Sequence, residues 1–256
     1  MKTLEAYQEG KVLLIDKPLN WTSFQVVNKI RWLIKQQFEI KKIKVGHAGT
    51  LDPLATGLLI LCTGKFTKKI ETYQAQVKEY TGTITLGATT PSYDLESEVD
   101  QIFDISGITK EDILQNTQHF IGEIQQQPPI FSALKKDGKR YYDRVRSGEK
   151  VDSPDARIIN IYSLKSSVDC WGAEPASDDL SASDGKQYQA TFTTECSSGT
   201  YVRSIVRDVA MSIDTVAHLV ELRRLKVSDF DVCGALSGDD ISDPIALRKA
   251  MRPMRE

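Results

Sequence analysis

The stretch that decides the fold is Gly46-His47-Ala48-Gly49-Thr50-Leu51-Asp52-Pro53-Leu54-Ala55-Thr56-Gly57-Leu58-Leu59-Ile60-Leu61. It begins as a glycine-rich polar loop and ends as an apolar segment typical of a buried strand. One carboxylate, Asp52, lies where loop and strand meet, and the ring of Pro53 disfavours a helical conformation for it. The loop can therefore present a single acid beside backbone that a large partner approaches closely. An Asx turn that caps the strand is the commoner use of such an Asp, so the residues alone leave both interpretations open.

The segments on either side of this stretch predict strands and helices in irregular alternation. Residues 12–15 are apolar and predict a buried strand, and alternating apolar residues predict strands over 80–86 and 188–196. Helices with one apolar face are predicted to begin at Thr22 and Thr109, each of which has the spacing of a capping box. Because no regular βαβ order is present, we expect an α+β domain with a mixed or mostly antiparallel sheet flanked by helices.

The composition excludes several classes of protein. With 256 residues the chain forms one large domain or two small ones around a substantial core. The net charge of -2 excludes a protein that is basic throughout, but it leaves room for a local basic surface. No apolar run approaches the roughly 20 residues of a membrane span, and the N-terminus lacks a secretory apolar region. The four cysteines are far apart in sequence, which argues against a disulfide framework or a metal site and favours a reducing cytoplasm.

Two segments rich in basic residues have open interpretations. Lys41, Lys42 and Lys44 form either a solvated face or a phosphate site close to the central loop in sequence. Within residues 122–151, the glutamine and proline run at 125–129 is predicted to form no regular core element. The basic and aromatic residues that follow are Lys135, Lys136, Lys139, Arg140, Tyr141, Tyr142, Arg144 and Arg146. That mixture suits a segment that folds over a nucleic-acid backbone, and it equally suits a solvated hairpin followed by a helix.

Two further segments receive no function from the sequence. Residues 166–186 are rich in Ser, Asp, Ala and Gly, which predicts an exposed loop with the composition of a disordered segment. The tail after residue 228 carries one weak helical pattern around Ile245, Leu247 and Met251.

Six motifs in this chain resemble the TruB family, the bacterial tRNA pseudouridine synthases that act on the T arm. The motifs are the stretch from Gly46 to Gly57, Leu14-Ile15-Asp16-Lys17-Pro18, Lys78-Glu79-Tyr80, Ser132-Ala133-Leu134-Lys135, Ser198-Gly199-Thr200-Tyr201-Val202-Arg203 and Leu222-Arg223-Arg224-Leu225. They follow the family order and cover about residues 10–228. The resemblance implies the pseudouridine synthase fold and the isomerisation of a T-loop uridine in tRNA to pseudouridine. It implies no cofactor and no metal, a cytoplasmic monomer, tRNA as the partner and no membrane.

The resemblance also assigns roles around the reacting base. Asp52 is the nucleophile, and Arg203 is the cation that keeps the carboxylate charged in a pocket closed to water. The target base is stacked in folded RNA and must be flipped out, at a cost of a few kcal/mol. His47 is expected to brace the gap that the base leaves. Tyr80 is expected to stack on the uracil and is the candidate base for the C5 proton. Whether Asp52 attacks the ribose, attacks the base or assists formation of a glycal is left open.

The remaining assignments concern the pocket wall and the RNA backbone. Tyr201 is expected to make a polar contact and Leu222 an apolar contact with the nucleotide. Residues 124–151 correspond to the family's RNA-clamping thumb insertion. The side chains expected on the RNA backbone are Lys135, Lys136, Lys139 and Arg140. Their local charge explains how a chain of net charge -2 binds a polyanion.

We expect residues 1–256 to form a single catalytic domain that includes the thumb insertion. Many family members carry a further RNA-binding domain of the PUA type, and the residues after 228 are too few for a full one.

Two other function classes remain for comparison. An RNA-binding protein without activity would not need Asp52, Tyr80 and Arg203 together. A carboxylate-dependent glycosidase normally uses two paired acids, and the central loop offers one.

Overall fold

The computed structural model describes residues 3–170, 188–238 and 241. Residues 171–187, which hold most of the serine-rich segment, and the tail pattern around Ile245 lie outside the described residues. In chain order the elements are α1 Leu4–Glu9, β1 Val12–Lys17, α2 Ser23–Phe38, β2 Val45–His47, β3 Ala55–Thr63, a 3-10 helix Gly64–Lys69, α3 Ile70–Gln74, β4 Lys78–Leu86, β5 Ala88–Thr89, β6 Gln101–Ile102, α4 Lys110–Gln118, β7 Gly122–Gln126, β8 Lys135–Lys136, β9 Lys139–Arg140, α5 Tyr141–Arg146, β10 Arg157–Cys170, β11 Tyr188–Cys196, α6 Val202–Met211, β12 Ala217–Val227, β13 Phe230–Asp231 and a second 3-10 helix Val232–Gly234.

The chain divides into two compact units. Unit 1 comprises Met1–Tyr80 and Arg223–Glu256, and unit 2 comprises Thr81–Leu222. The two boundaries fall inside strands, so the chain leaves unit 1 along β4 and returns along β12. The single catalytic domain expected from the sequence stays a prediction.

Unit 1 is built on antiparallel strands covered by α2. Strand β1 pairs with β3 from Val12↔Cys62 to Lys17↔Gly57, and β2 pairs with the end of β3. The predicted capping box at Thr22 is confirmed, because its side chain accepts from the Gln25 amide while Gln25 bonds the Thr22 amide. The predicted inner face of α2 is also confirmed, and its buried residues are Val26, Val27, Ile30, Leu33 and Ile34. They pack with Ile15, Leu59 and Leu61 into one core.

Unit 2 contains a second set of antiparallel strands. Strand β10 pairs with β11 on one side and with β7 on the other. Side chains of β11 alternate between buried and more exposed as predicted, and the capping box that begins α4 at Thr109 is confirmed. These ladders are antiparallel, so the predicted α+β class with a mostly antiparallel sheet is confirmed. Within the described ranges, no helix has the length and apolar character that a membrane crossing requires.

Two local predictions in unit 2 were wrong. Gln125 and Gln126 were expected to form no regular core element, yet they end β7, and Gln126 is fully buried. Backbone pairing with Arg157 and Ile158 in β10 overrides the weak strand preference of glutamine. Residues 166–170 were expected to lie in a loop, but they extend β10 opposite β11.

Candidate active site

Asp52 lies in unit 1 on the loop between β2 and β3. The side chain is half-buried, and the Asp52 carbonyl accepts from the Ala55 amide at 3.1 Å as β3 begins. From Leu58 to Thr63 the strand is buried. The carboxylate is thus partly open to a partner while the strand that follows it is fixed in the core. The predicted junction of polar loop and apolar strand is confirmed.

Ser23, the first residue of α2, anchors the middle of this loop. Its hydroxyl accepts from the Leu51 amide at 2.9 Å and donates to the Leu51 carbonyl at 3.2 Å. Ser23 is buried. The start of α2 therefore fixes the backbone of the residue immediately before Asp52.

Lys17 anchors the loop on the other side of Asp52. Its side chain is fully buried, and the ammonium donates to the carbonyls of Pro18, Trp21 and Pro53 at 2.9, 2.6 and 3.1 Å. Burial lowers the pKa of Lys17 from 10.5 to about 8, while the negative charge of Asp52 opposes that shift. A buried ammonium therefore holds the residue after Asp52 and interacts electrostatically with the carboxylate.

Arg224, in β12, is a second buried cation that contacts this loop. Its Nε donates to the Leu58 carbonyl at 2.6 Å, and one terminal nitrogen donates to the Gly49 carbonyl at 3.2 Å. The guanidinium lies 6.0 Å from the ring centroid of Tyr80, which is buried. Gly57 allows the backbone of Arg224 to lie close to β3, because a Cβ at residue 57 would lie 2.2 Å from the Arg224 carbonyl oxygen. Its φ of +99° also favours glycine. The loop, Tyr80 and Arg224 thus form one packed group in unit 1.

An ion pair between Arg223 and Asp16 lies next to this group in unit 1. Arg223 and Asp16 make two nitrogen–oxygen contacts of 3.0 and 2.7 Å, and Arg223 also reaches the Thr56 hydroxyl at 3.4 Å. Both side chains are half-buried. The two-point geometry fixes β1 to the returning end of β12 within unit 1.

The roles of Lys17 and Arg224 were missed, although both residues lie in motifs quoted from the sequence. The missed signal was strand parity. Lys17 shares an inward parity with Ile15 in β1, and Arg224 shares one with Leu222 in β12. A side chain at such a position is directed into the core whatever its charge.

Arg203 lies in unit 2, near the start of α6, and is buried. It donates to the carbonyls of Ser92 and Phe131, both at 2.8 Å, and its Nε lies 3.5 Å from a carboxylate oxygen of Asp94. Asp94 is buried as well and accepts from the Ser92 hydroxyl at 2.6 Å. Within unit 2, Arg203 therefore ties α6 to two loops, and Asp94 is a partner that the sequence did not reveal.

Tyr201 immediately precedes α6, and Gln126 fixes its backbone. The Gln126 amide accepts from the Tyr201 amide at 2.8 Å and donates to the Tyr201 carbonyl at 3.1 Å. The guanidinium of Arg157 lies 4.9 Å from the Tyr201 ring centroid. Leu222 is buried in β12. Gln126 therefore positions the helix start that carries two of the expected site residues.

Replacing Gln126 by alanine should lower the free energy of unfolding by about 2 kcal/mol, because the partly buried backbone amide and carbonyl of Tyr201 lose their partner. The adjacent Gln125 is exposed on the same strand, and its replacement by alanine is the matched control, expected to cost less than about 0.5 kcal/mol. Urea unfolding of both variants measures the difference. Equal losses in the two variants would contradict a specific role for the Gln126 amide.

Strands β8 and β9 form a two-stranded hairpin that carries four expected RNA-backbone residues. Lys135 lies opposite Arg140 and Lys136 opposite Lys139, and all four are exposed. The turn residues Asp137 and Gly138 both have positive φ, 55° and 80°, as a tight hairpin turn requires. Like charges facing across a hairpin are destabilising, and a bound polyanion would relieve that repulsion.

The site residues fall into two sets. Unit 1 brings Asp52, Tyr80 and the half-buried His47 onto β2, its loop and β4. Unit 2 holds the other predicted residues, which are Tyr201, Arg203, Leu222, Lys135, Lys136, Lys139 and Arg140. Across the described ranges, no group of three or more His, Cys, Asp and Glu side chains is placed to hold a metal ion. The roles assigned to these residues stay predictions.

Comparison with solved structures defines the class of fold. A chain of a Cbf5-Nop10-Gar1 complex matches 96% of this chain with a TM-score of 0.62 and 24% identity, and this chain covers 60% of it. A chain of an H/ACA RNP bound to a substrate RNA containing 2'-deoxyuridine matches 97% with a TM-score of 0.61 and 21% identity, and 57% of it is covered. At these identities the likeness shows the fold, which is the predicted pseudouridine synthase fold.

Sequence comparison then gives the family. Residues 35–202 match the model of the TruB family pseudouridylate synthase N-terminal domain. A tRNA pseudouridine synthase B of Flavobacterium johnsoniae is 49% identical over 91% of this chain and 95% of its own length. The enzyme of the same name from Phocaeicola vulgatus is 46% identical over 90% and 91%. The chain belongs to the TruB family of pseudouridylate synthases, and the resemblance found in its motifs is confirmed.

Proposed function

We propose that this enzyme isomerises the T-loop uridine of tRNA to pseudouridine, with Asp52 as the nucleophile. The observation that carries the proposal is the single half-buried carboxylate on a loop fixed by Ser23, Lys17 and Arg224. The names of the relatives, tRNA pseudouridine synthase B, support tRNA as the substrate. Family membership makes the reaction an isomerisation, so every atom of the uridine is kept.

The reaction exchanges one bond of the nucleotide for another. The glycosidic bond between N1 of uracil and C1′ of ribose breaks, the base turns, and C5 bonds to C1′. N1 of the uracil gains a proton and C5 loses one. The proton-accepting side chains of the protein therefore need only transfer a proton. One carboxylate is sufficient for attack at C1′, for addition to the base, or for assistance to a glycal route. Lys17 and Arg224 place positive charge in unit 1, and Lys17 interacts electrostatically with Asp52.

Base flipping explains the aromatic residues of the proposed site. His47 lies on β2 at the start of the loop, where an imidazole can stack on a base next to the extruded one. Tyr80 is the proposed stacking partner of the uracil and the proposed base for the C5 proton. Arg224 beside its ring orients that ring within unit 1.

Three residues of unit 2 complete the proposal. Arg203 is proposed as the counter-cation of the Asp52 carboxylate, and Tyr201 and Leu222 as polar and apolar contacts of the nucleotide. Their support is the family motif together with the fixed geometry of α6, which Gln126 and Asp94 provide. The Arg203→Lys variant tests this role kinetically. Lysine keeps the positive charge but lacks the planar set of hydrogen-bond donors of a guanidinium.

A tritium-release assay tests the function and its two rivals together. Full-length tRNA labelled at uridine C5 is incubated with a catalytic amount of protein, and tritium in water and free uracil are both measured. The proposal expects release of tritium without free uracil. An RNA-binding protein without activity would retain all label on the RNA, and a glycosidase would liberate uracil. Either of those results would overturn the proposal.

The proposed thumb, residues 124–151, makes a salt-dependent prediction. Replacing Lys135, Lys136, Lys139 and Arg140 by glutamine should weaken tRNA binding and flatten its dependence on salt by about one logarithmic slope unit for each lost phosphate contact. Titrations of labelled tRNA over a range of salt concentrations measure this slope. The matched control removes four charges elsewhere, at Lys11, Lys29, Lys110 and Lys165. An equal slope for the thumb variant and the wild type would show that the hairpin is not the clamp.

We also propose that the enzyme acts as a monomer in the cytoplasm. Cys62 and Cys233 are free thiols, which suits a reducing compartment. Analytical ultracentrifugation with and without tRNA tests the oligomeric state.

A further inference from the structure

Two large apolar side chains in unit 1 are exposed on the segment that holds the Asp52 loop. Leu19 lies between β1 and α2 and is 54% exposed, and Phe24 lies in the first turn of α2 and is 61% exposed. Phe24 lies outside the buried face of α2. Single exposed apolar residues are common on protein surfaces. Two of them on one short segment beside a candidate active site form a surface that a ligand can cover.

Leu19 is fixed by the hydrogen bonds of the residues on either side of it. The Lys17 ammonium donates to the Pro18 carbonyl at 2.9 Å and to the Pro53 carbonyl at 3.1 Å. The Asn20 amide donates to the same Pro53 carbonyl at 2.9 Å. The segment that carries Leu19 is therefore attached directly to the residue that follows the proposed nucleophile.

Phe24 is fixed through the residues that begin α2. The capping box at Thr22 holds the first turn of the helix, and the Ser23 hydroxyl accepts from the Leu51 amide at 2.9 Å. Phe24 and Asp52 are the next residues along the chain from this hydrogen-bonded pair. Their Cα atoms are therefore no more than about 15 Å apart. A nucleotide bound at Asp52 would place the adjoining RNA within reach of the Phe24 ring.

The charge of α2 suits an RNA ligand. The helix contains Lys29, Arg31 and Lys35 and no acidic residue. Phe24 lies in its first turn, where the helix dipole adds a partial positive charge. A polyanion that approaches the Phe24 ring is therefore attracted along the helix and meets no like charge on it.

Base flipping creates a need for an aromatic surface at this place. Extruding one base removes stacking from the bases next to it. Unpaired RNA bases stack on aromatic side chains, because every base has a π face. An extruded nucleotide has two neighbours, and His47 is proposed above to stack on one of them. The other neighbour has no partner among the roles proposed so far, and the exposed ring of Phe24 can supply one.

We propose that the exposed ring of Phe24 is a stacking platform for an unpaired T-loop base next to the extruded uridine. Leu19 adds apolar surface on the neighbouring segment. The inference rests on the proposed function and adds a residue that binds the substrate outside the reacting nucleotide. Because the ring contacts the face of a base, it favours an unpaired loop without reading its sequence. The platform contributes to substrate affinity and leaves the chemical step at Asp52 unchanged.

The test measures the binding of a T-arm hairpin RNA to variants at position 24. The Phe24→Ala variant should raise the Kd about tenfold, which is the scale of one lost base–aromatic stack. Phe24→Leu should lose most of the same affinity, because leucine is apolar but has no ring. Phe24→Tyr keeps the ring and should bind within about twofold of the wild type. In all three variants KM should follow the Kd, and kcat for tritium release should stay unchanged.

Trp32 provides the matched control on the same helix. It is an aromatic residue that is 47% exposed, and it lies about 12 Å farther along α2 than Phe24. The Trp32→Ala variant should change the Kd for the hairpin less than about twofold. An equal loss of affinity in the Trp32→Ala and Phe24→Ala variants would overturn the proposal, because any exposed ring on α2 would then have the same effect.

A second RNA separates stacking from a structural effect of the substitution. Each neighbour of the target uridine is replaced in turn by an abasic residue. At the stacked position this RNA should reduce the cost of Phe24→Ala to less than about twofold, because the contact is already absent. An undiminished loss with both abasic RNAs, or no loss with the intact hairpin, would overturn the proposal. So would sedimentation showing that Phe24→Ala abolishes a dimer of the free protein, since the surface would then bind a second copy.

The binding experiment is independent of turnover. A wild-type protein that binds the two RNAs in this pattern but releases no tritium would contradict the proposed function alone. A protein that releases tritium but binds the hairpin equally well with phenylalanine or alanine at position 24 would contradict only the stacking platform.

Discussion

Replacing Asp52 by asparagine should lower tritium release from C5-labelled tRNA by at least about 10⁴-fold, the scale seen when a nucleophile is removed. The substitution preserves the shape of the side chain and removes the negative charge that the proposed mechanism requires. The loop should keep its conformation, because Ser23, Lys17 and Arg224 bind backbone groups of its residues. Binding of tRNA should therefore stay within a few fold of the wild type.

A second carboxylate serves as the control for this result. Asp16 also acts electrostatically on Lys17, but it pairs with Arg223 and is assigned no chemical step. Its replacement by asparagine should reduce activity far less than the change at Asp52. Full turnover by the Asp52→Asn variant would remove Asp52 from the mechanism. Equal losses of activity in the Asp52 and Asp16 variants would show that the effect comes from the net charge around Lys17 and not from the loss of a nucleophile.

Replacing Lys17 by methionine should lower the free energy of unfolding at neutral pH by about 3 kcal/mol or more. The variant keeps the buried volume but leaves the carbonyls of Pro18, Trp21 and Pro53 without their donor. It also removes a positive charge next to Asp52. Denaturant unfolding measures the loss. Lys11, which is exposed just before β1, is the matched control, and its replacement by methionine should cost less than about 0.5 kcal/mol.

The same pair of proteins gives a pH test with a defined sign. The pKa of Lys17 is about 8 in the folded chain against 10.5 when unperturbed, so between these values the unfolded chain binds the proton that the folded chain has released. Wild-type stability should therefore rise with pH across that interval, by about 3 kcal/mol relative to Lys17→Met. Below pH 8 the difference between the two proteins should be constant. A difference that falls between pH 8 and pH 10.5 would contradict the assignment of a buried, charged Lys17.

The sequence predicted those parts of the fold that depend on local signals. Both capping boxes, the inner face of α2 and the alternation in β11 follow from spacing within a few residues. Asp52 could be singled out because proline and glycine constrain the backbone around it. The buried polar groups were harder to foresee. Lys17 and Arg224 have charges that hydropathy assigns to the surface, although strand parity directs both into the core.

Contacts between distant residues account for the other misses. Gln126 is stabilised in β7 by the backbone of Tyr201, which is 75 positions away in sequence. The Asp94 carboxylate pairs with Arg203 across an even longer stretch of the chain. No pattern within a window of ten or so residues contains either partner. Such pairs become visible only when the topology is known.

The exposed hairpin of β8 and β9 has a practical consequence. Its four basic residues sit on strands of two residues each, so a protease that cleaves after Lys or Arg meets several susceptible bonds on a segment with few backbone hydrogen bonds. Limited trypsin digestion should nick the free enzyme there first. If the hairpin closes on RNA, bound RNA protects it from trypsin. The rate of cleavage, followed on a gel without any label, then measures the fraction of enzyme that has RNA bound.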